Sequence, residues 1–267
     1  MPDLASTQAL IIDLDGVLWR GKALLPGVAT FFALLRRRQL RFVLATNNAT
    51  ASPASIQQRL EQAGVEIVED EVMTSAMAAA AYLADNVAAG SPVLVIGEQA
   101  LRQALASRGF PLATSADGTM AVVVGMDRTL SWPQLAEACL AIRAGAAFIG
   151  TNPDVSFPTE RGLVPGNGAT LAALQAATDI APAIIGKPEP HLYEQALQQM
   201  GVPAEHTLVL GDRLETDILG GQRIGAPTGL LLTGVTDRAQ LESSDIQPDF
   251  LFADLAAVID ALTDPGI

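Results

Sequence analysis

Ala9-Leu-Ile-Ile-Asp13-Leu-Asp15-Gly16 is an uninterrupted apolar run that ends abruptly in two carboxylates and a glycine. Three other stretches end the same way. Phe42-Val-Leu-Ala-Thr46-Asn47-Asn48 closes in a hydroxyl and two amides, Ile184-Ile-Gly-Lys187-Pro188 in an ammonium, and Leu208-Val-Leu-Gly211-Asp212 in a further carboxylate. Short runs with no polar alternation are the pattern of strands covered on both faces, as in a parallel sheet flanked by helices. If all four are parallel strands of one sheet, their carboxyl ends lie side by side and the polar residues converge. That arrangement predicts a site for metal-assisted phosphoryl chemistry.

Working outward, the first third alternates these runs with helical patterns, one near Val28 to Arg38 and one from Pro53 toward Ala63. Ser52-Pro53 is a good helix start and Gly64 a good stop. The last third predicts helices at Leu192 to Met200 and Asp217 to Ile224, and strands at Leu208 to Leu210 and Leu230 to Leu232. One more strand and helix follow between Asp249 and Leu262, before a break at Asp264-Pro-Gly. The fold class is therefore α/β, with a doubly wound, Rossmann-like parallel sheet. A second alternating set lies between the two ends, with strands at Val93 to Ile96, Ala121 to Gly125 and Phe148 to Gly150. Its helices are expected at Gln99 to Ser107, Trp132 to Ala144 and Gly168 to Thr178. The expected organisation is a discontinuous core of residues 1–77 and 184–267 with a smaller inserted α/β domain of residues 78–183. Hinges are expected near Ala78 and around Ile180 to Ala183, where Pro182 interrupts the helical pattern.

Composition narrows the function. A chain of 267 residues, 49% hydrophobic, is a folded globular protein of one large or two modest domains. Met1-Pro2-Asp3 opens acidic and no run approaches the roughly 18 apolar residues of a membrane span, so the expectation is a cytoplasmic protein without a secretion signal. The one cysteine, Cys139, excludes an internal disulfide and reads as a small buried hydrophobe. A net charge of −13 opposes nucleic acid and anionic membranes as partners. The same field opposes anionic substrates, so a phosphate site must supply its own local positive charge.

Asp13 and Asp15, two apart at a strand end, start on one face, and Gly16 lets the backbone turn away. A carboxylate attacks phosphorus without needing deprotonation, and a second carboxyl can protonate the departing alkoxide and then deprotonate water. Asp212 and Asp217 form a second acidic pair where a strand gives way to a helix, although an Asp at a helix start is ordinarily a cap. Two such pairs on neighbouring strand ends would repel one another, which implies a hard divalent cation, best fitted by Mg²⁺. Thr46, Asn47 and Asn48 offer a hydroxyl and backbone N–H groups to a phosphoryl oxygen, or simply close a strand in a turn. Lys187, beside the acids, would balance them and stabilise transition-state charge.

Asp13-Leu-Asp15-Gly16-Val17-Leu18, Thr46-Asn47-Asn48, Lys187 and Gly211-Asp212 with Asp217 together resemble the four ordered motifs of the haloacid dehalogenase-like hydrolases. Thr151-Asn152-Pro153-Asp154, Pro158-Thr159-Glu160 and the long insert resemble the class with the second kind of cap, the NagD and p-nitrophenylphosphatase group. The likeness covers nearly the whole chain, with no departure in the four motifs. It implies a Mg²⁺-dependent phosphatase of small phosphorylated metabolites acting through a phospho-aspartate. In this reading Asp13 is nucleophile and metal ligand, and Asp15 is the acid/base whose main-chain carbonyl also binds metal. Asp212 is a direct metal ligand, Asp217 supports the metal's water shell and Lys187, and Thr46, Asn47 and Lys187 bind phosphate. Halide displacement is disfavoured, since it needs neither metal nor a second acid, and a phosphomutase is associated with a helical cap between the first two motifs. A catalytically silent phosphate-binding protein on the same fold is the contrasting reading. Caps of this kind often mediate homodimers.

Residues on the insert's strand-to-helix turns would choose the leaving group: Asp127 and Arg128 after the Ala121 run, Asn152 and Asp154 after Phe148-Ile-Gly. The plainer reading of each is a turn or cap residue. Gly166-Asn167-Gly168-Ala169 reads as a tight turn before a helix. His191 and His206 lack metal or triad spacing. Trp19 and Arg20 line the entrance to the site or, for Trp19, pack. Arg36-Arg37-Arg38 with Arg41 reads as a solvated helix end.

Overall fold

The computed structural model describes residues 3–159 and 161–263; the expected break at Asp264 and Glu160 of the Pro158-Thr159-Glu160 stretch lie outside them. The chain divides into two compact units, the first of Met1–Thr46, Pro53–Met73 and Lys187–Ile267, the second of Asn47–Ser52 and Thr74–Gly186.

In the first unit Ala9–Ile12 is the centre of a six-stranded sheet ordered Phe250–Phe252, Thr228–Leu231, Thr207–Gly211, Ala9–Ile12, Arg41–Thr46, Val72–Thr74. Its first five strands pair in parallel, with Ile12 opposite Leu210 on one side and Leu44 on the other. All four residues of the central strand are buried, which is why its sequence carries no polar alternation. Val28–Arg37 buries Val28, Phe31, Phe32, Leu34 and Leu35, one apolar face of an amphipathic helix. Its basic end is exposed, as expected, and also makes local contacts: Arg36 pairs with both carboxylate oxygens of Glu71 and lies 4.7 Å from the Phe42 ring centroid, and Arg41 donates to the Met200 carbonyl.

The order of strands locates the chemistry. From Ala9–Ile12 the chain builds outward through Arg41–Thr46 to Val72–Thr74, then resumes on the opposite side of Ala9–Ile12 with Thr207–Gly211 and continues outward again. The winding reverses between Ala9–Ile12 and Thr207–Gly211, and a crevice opens beyond the carboxyl ends of strands at such a reversal. Asp13 and Asp212 are the residues that directly follow those two strands.

The second unit is built on its own parallel sheet, ordered Ala183–Ile184, Ala147–Gly150, Ala121–Val124, Val93–Ile96, Leu112–Ala113. Ile96, Val122, Val124, Ala138, Ile142, Phe148 and Leu171 share its core. A hairpin of Ser156–Thr159 and Gly162–Pro165 and the helix Asn167–Thr178 follow.

Several expectations need correction. The Ile184 run is not a strand of the central sheet: Ala183 and Ile184 pair with Ile149 and Gly150, so only three of the four apolar runs share one sheet. An apolar run identifies a strand but not its partner. Between the units the chain passes at Thr46 to Asn47, Ser52 to Pro53, Met73 to Thr74 and Gly186 to Lys187. Ala78 is no hinge, because the helix Ser75–Asn86 runs unbroken through it with Ala78 to Ala81 buried. Its start is set by Thr74, whose hydroxyl accepts the Met77 N–H at 3.2 Å. The helix expected from Asp217 to Ile224 is split into a π-helical turn, Leu214–Ile218, and a short α-helix, Leu219–Arg223. Among the described residues, no helix is long and apolar enough to cross a membrane. Cys139 is half-buried.

Leu10 is fully buried at the centre of the first sheet. Leu10→Ala is expected to lower unfolding free energy by about 2 to 5 kcal/mol in urea titrations, the range for emptying a core leucine site; a loss well below that would mean the central strand is not the packing centre of this unit.

Candidate active site

The ladder of the central strand extends one residue past its end, since the Asp13 N–H donates to the Leu210 carbonyl at 2.9 Å. This fixes the Asp13 backbone level with the last residues of its neighbours. Gly16 then turns the chain at φ 84°, donating its N–H to the Trp19 carbonyl at 2.7 Å. A β-carbon at Gly16 would collide with the Asp212 carboxylate, and so would one at Gly234. Backbone therefore closes on Asp212 from both sides, where only glycine fits. Asp212 is buried; its Oδ2 accepts the Val235 N–H at 2.6 Å and its carbonyl accepts the Thr236 N–H at 3.1 Å.

Lys187 lies at the start of the first unit's last segment, joined to Pro188 by a cis peptide bond, and its side chain is only 4% exposed. Its ammonium donates to Asp13 Oδ1 at 2.5 Å, Asp217 Oδ1 at 2.7 Å and the Ala45 carbonyl at 3.1 Å. Asp217 is aimed by the π-helical turn. The N–H groups of Asp217 and Ile218 both bond the Arg213 carbonyl, at 3.0 and 3.2 Å, while the Arg213 N–H returns to Asp217 Oδ2 at 3.1 Å. Such widened turns recur at functional positions. Tyr193, fully buried, braces the turn by donating its hydroxyl to the Thr216 carbonyl at 3.1 Å.

Asp13, Asp212 and Asp217 each offer a carboxylate oxygen, all within 4.8 Å of one another. Three carboxylates facing one ammonium leave an excess of negative charge in a buried place. Burial pushes the Asp13 carboxyl well above the ordinary carboxylate range, and Asp217 and Asp212 add to it against the opposing pull of Lys187. Burial and the Asp217 charge raise Asp212 to about 6. Burial works against the charge on Lys187, but Asp13 and Asp217 outweigh it and hold the ammonium well above its usual value. The lysine stays charged, and the acids strain against one another. This donor set of hard oxygens with surplus negative charge fits a divalent cation.

The other predicted residues are arranged less centrally. Asp15 is exposed and lies outside the carboxylate trio; its Oδ1 accepts the Trp19 indole N–H at 3.0 Å. Thr46 is buried at the end of Arg41–Thr46. Asn47 opens the second unit, where its carbonyl accepts the Ser75 hydroxyl at 2.7 Å and the Asn152 amide at 2.9 Å. Asn152, expected to read a leaving group, is instead buried and committed: besides Asn47, its Oδ1 accepts the Asp154 N–H at 3.2 Å. Asp127 closes a local turn by accepting the Thr129 N–H and hydroxyl, and Arg128 pairs with Glu98 at 2.6 Å. These are the plainer turn roles that the sequence also allowed. Sequence reasoning missed Tyr193 and Val235. A tyrosine six residues after Lys187 carried no motif, and a backbone N–H carries no side-chain signal at all.

Two family profiles match the chain, one described as haloacid dehalogenase-like hydrolase over residues 10–111 and one as HAD-hydrolase-like over residues 184–258. The acid sugar phosphatase of Staphylococcus haemolyticus is 37% identical over 255 residues, 96% of each chain. Among solved structures, a p-nitrophenyl phosphatase from Archaeoglobus fulgidus superposes with a TM-score of 0.91 at 31% identity, covering 97% of this chain and 100% of that one. The glycerol phosphate phosphatase Rv1692 from Mycobacterium tuberculosis, in complex with magnesium, gives a TM-score of 0.88 at 37% identity over 97% of this chain and 78% of its own.

The raised Asp212 carboxyl has a consequence for stability. In the unfolded chain an aspartate titrates near ~3.9, so between that value and about 6 the folded state binds the extra proton. Acidification through about 6 therefore relieves a cost that is fully present above it. In chelator, Asp212→Asn is expected to be the more stable protein at pH ~8, and its advantage in urea titrations to shrink by about 1 to 2 kcal/mol by pH ~5. An advantage independent of pH would contradict this.

Proposed function

The chain belongs to the haloacid dehalogenase-like hydrolases, and from that premise we propose a phosphoric monoester hydrolase acting on a small phosphorylated metabolite through a phospho-aspartate on Asp13. The observation that carries this is the buried cluster in which Lys187 bridges Asp13 and Asp217 beside Asp212, at the carboxyl ends of the two strands where the sheet reverses.

Asp13 is the nucleophile. Its oxygen bonds to phosphorus while the bond from phosphorus to the ester oxygen breaks, and the carboxylate needs no base to activate it. Lys187 holds Asp13 and Asp217 in place and offers positive charge to the phosphoryl oxygens, with Thr46 and Asn47 as further phosphate donors. Asp15 gives its proton to the departing ester oxygen, then takes one from the water that attacks phosphorus and releases Asp13. Asp13, Asp212 and the Asp15 main-chain carbonyl are the ligands we assign to Mg²⁺, with Asp217 supporting its water shell and Lys187. When bound, the ion would neutralise nucleophile and phosphate together so that one anion can approach another. The second unit is assigned as the cap that selects among leaving groups. Within it Asp127, Arg128 and Asp154 have side chains on turns, whereas Asn152 is a brace. The acid sugar phosphatase and glycerol phosphate phosphatase relatives favour a sugar or polyol phosphate as substrate.

Purified protein is expected to release inorganic phosphate from p-nitrophenyl phosphate and from members of a panel of metabolite phosphates with Mg²⁺, and to stop in chelator. Asp13→Asn is expected to lose on the order of a thousandfold or more in kcat. No metal-dependent turnover on any ester would favour the catalytically silent phosphate-binding protein instead.

A further inference from the structure

We infer that Trp19, held by Arg59, is a positioning residue for the Asp15 carboxyl, holding one of its oxygens and so orienting the other for proton exchange with the departing alcohol. This deepens the assignment of Asp15 as acid/base and rests on it.

The segment after Asp13 is tied down from several sides. The Leu18 and Trp19 N–H groups both bond the Leu14 carbonyl, at 2.9 and 3.3 Å, and the Gly16 N–H returns to the Trp19 carbonyl. Trp19–Arg20 then pairs with Ala23–Leu24 in a small hairpin, and Arg20 donates to the Thr233 carbonyl. Backbone alone would fix Asp15 at its α-carbon and leave its carboxyl free to turn. The indole supplies the missing restraint, since Trp19 Nε1 donates to Asp15 Oδ1 at 3.0 Å while the ring itself is 3% exposed. Arg59 lies over that ring, its guanidinium carbon 3.9 Å from the centroid, and donates to the Gly21 carbonyl. The ring is thus clamped on its face by a cation and at its edge by the acid it serves.

The consequence is chemical. An indole N–H only donates, so the oxygen it meets serves as acceptor; the carbonyl oxygen of a neutral carboxyl is the better acceptor, so the bond favours the carboxyl orientation that leaves the O–H on the side away from the indole. During phosphoryl transfer the Asp13 oxygen bonds to phosphorus and the ester P–O bond breaks. The bonding pair stays on the ester oxygen, which takes that proton, and Asp15 is left as carboxylate. An alkoxide from a sugar or glycerol phosphate needs the proton as it departs. A p-nitrophenolate, whose charge is spread into the nitro group, does not.

Trp19→Phe keeps an aromatic face, on a smaller ring, and removes the donor. The experiment compares kcat/KM, which reports the first transfer, for glycerol phosphate and for p-nitrophenyl phosphate in the wild type, Trp19→Phe and Asp15→Asn. Trp19→Phe is expected to lose about tenfold or more on glycerol phosphate and no more than about twofold on p-nitrophenyl phosphate, with Asp15→Asn selective in the same sense and larger. Equal losses on both esters in Trp19→Phe, with Asp15→Asn still selective, would overturn the inference and leave Trp19 a packing residue. Equal losses in Asp15→Asn would overturn the acid/base assignment and the inference with it. A readout that needs neither turnover nor a folded variant at position 19 is hydrogen exchange of the indole N–H groups in wild-type protein. There are two tryptophans, and Trp132 is exposed, so Trp132→Phe assigns the signals. The Trp19 indole proton is expected to exchange much more slowly than that of Trp132, and to speed up in Asp15→Ala; exchange as fast as Trp132 in the wild type would contradict a bond to Asp15.

Discussion

A single buried ammonium, that of Lys187, is shared by Asp13, Asp217 and the Ala45 carbonyl. Removing a carboxylate from water is costly, and one cation cannot repay it for three. The structure meets that cost by commitment: Asp212 is held by the Val235 N–H, Asp217 by the Arg213 N–H, and glycines at 16 and 234 leave room for nothing but backbone against Asp212. Surplus negative charge concentrated in this way stabilises nothing by itself. A cation and a phosphoryl group entering together would offset it, which is our argument for reading the cluster as a catalytic centre and not as a structural ion pair.

The sheet makes the cluster possible. Asp13 and Asp212 follow adjacent parallel strands whose register sets Ile12 against Leu210, so their proximity is fixed by the ladder and not by loops. Asp217 is carried in by a π-helical turn that a buried tyrosine braces. Asp15 differs from the other acids in being exposed and in owing its orientation to an indole. Burial thus separates Asp13, Asp212 and Asp217, the groups we assign to cation and phosphoryl group, from Asp15, the one we assign to proton exchange with alcohol and water.

Much of this was legible in the sequence because strand ends are legible. Apolar runs closing in Asp13, Thr46 and Asp212 identified both the central sheet and three of its polar termini. Lys187 was legible as a residue but not as a placement: Ala183–Ile184 is two residues long and pairs with the other sheet, and nothing in an apolar run names its neighbour. The hinge was misplaced because an alanine-rich stretch carries little periodicity, so the helix through Ala78 had no visible start except Thr74. Tyr193, Val235 and the bond from Trp19 to Asp15 join residues far apart or depend on backbone groups, and such pairings exist only once the chain is folded. Asn152 shows the converse error, since a polar side chain on a turn suggested a reader of substrate where the fold uses it to satisfy backbone.

The central claim is that these carboxylates bind a divalent cation. Calorimetric titration of Mg²⁺ into chelator-treated protein, repeated in buffers of different ionisation enthalpy, tests it most directly, because carboxyls pushed upward by burial must give up protons to bind. The account predicts one ion per chain, abolished by Asp212→Asn, with release of about half a proton or more at pH ~6 that diminishes as the pH is raised. Binding without proton release near that pH, or binding that survives Asp212→Asn unchanged, would contradict it.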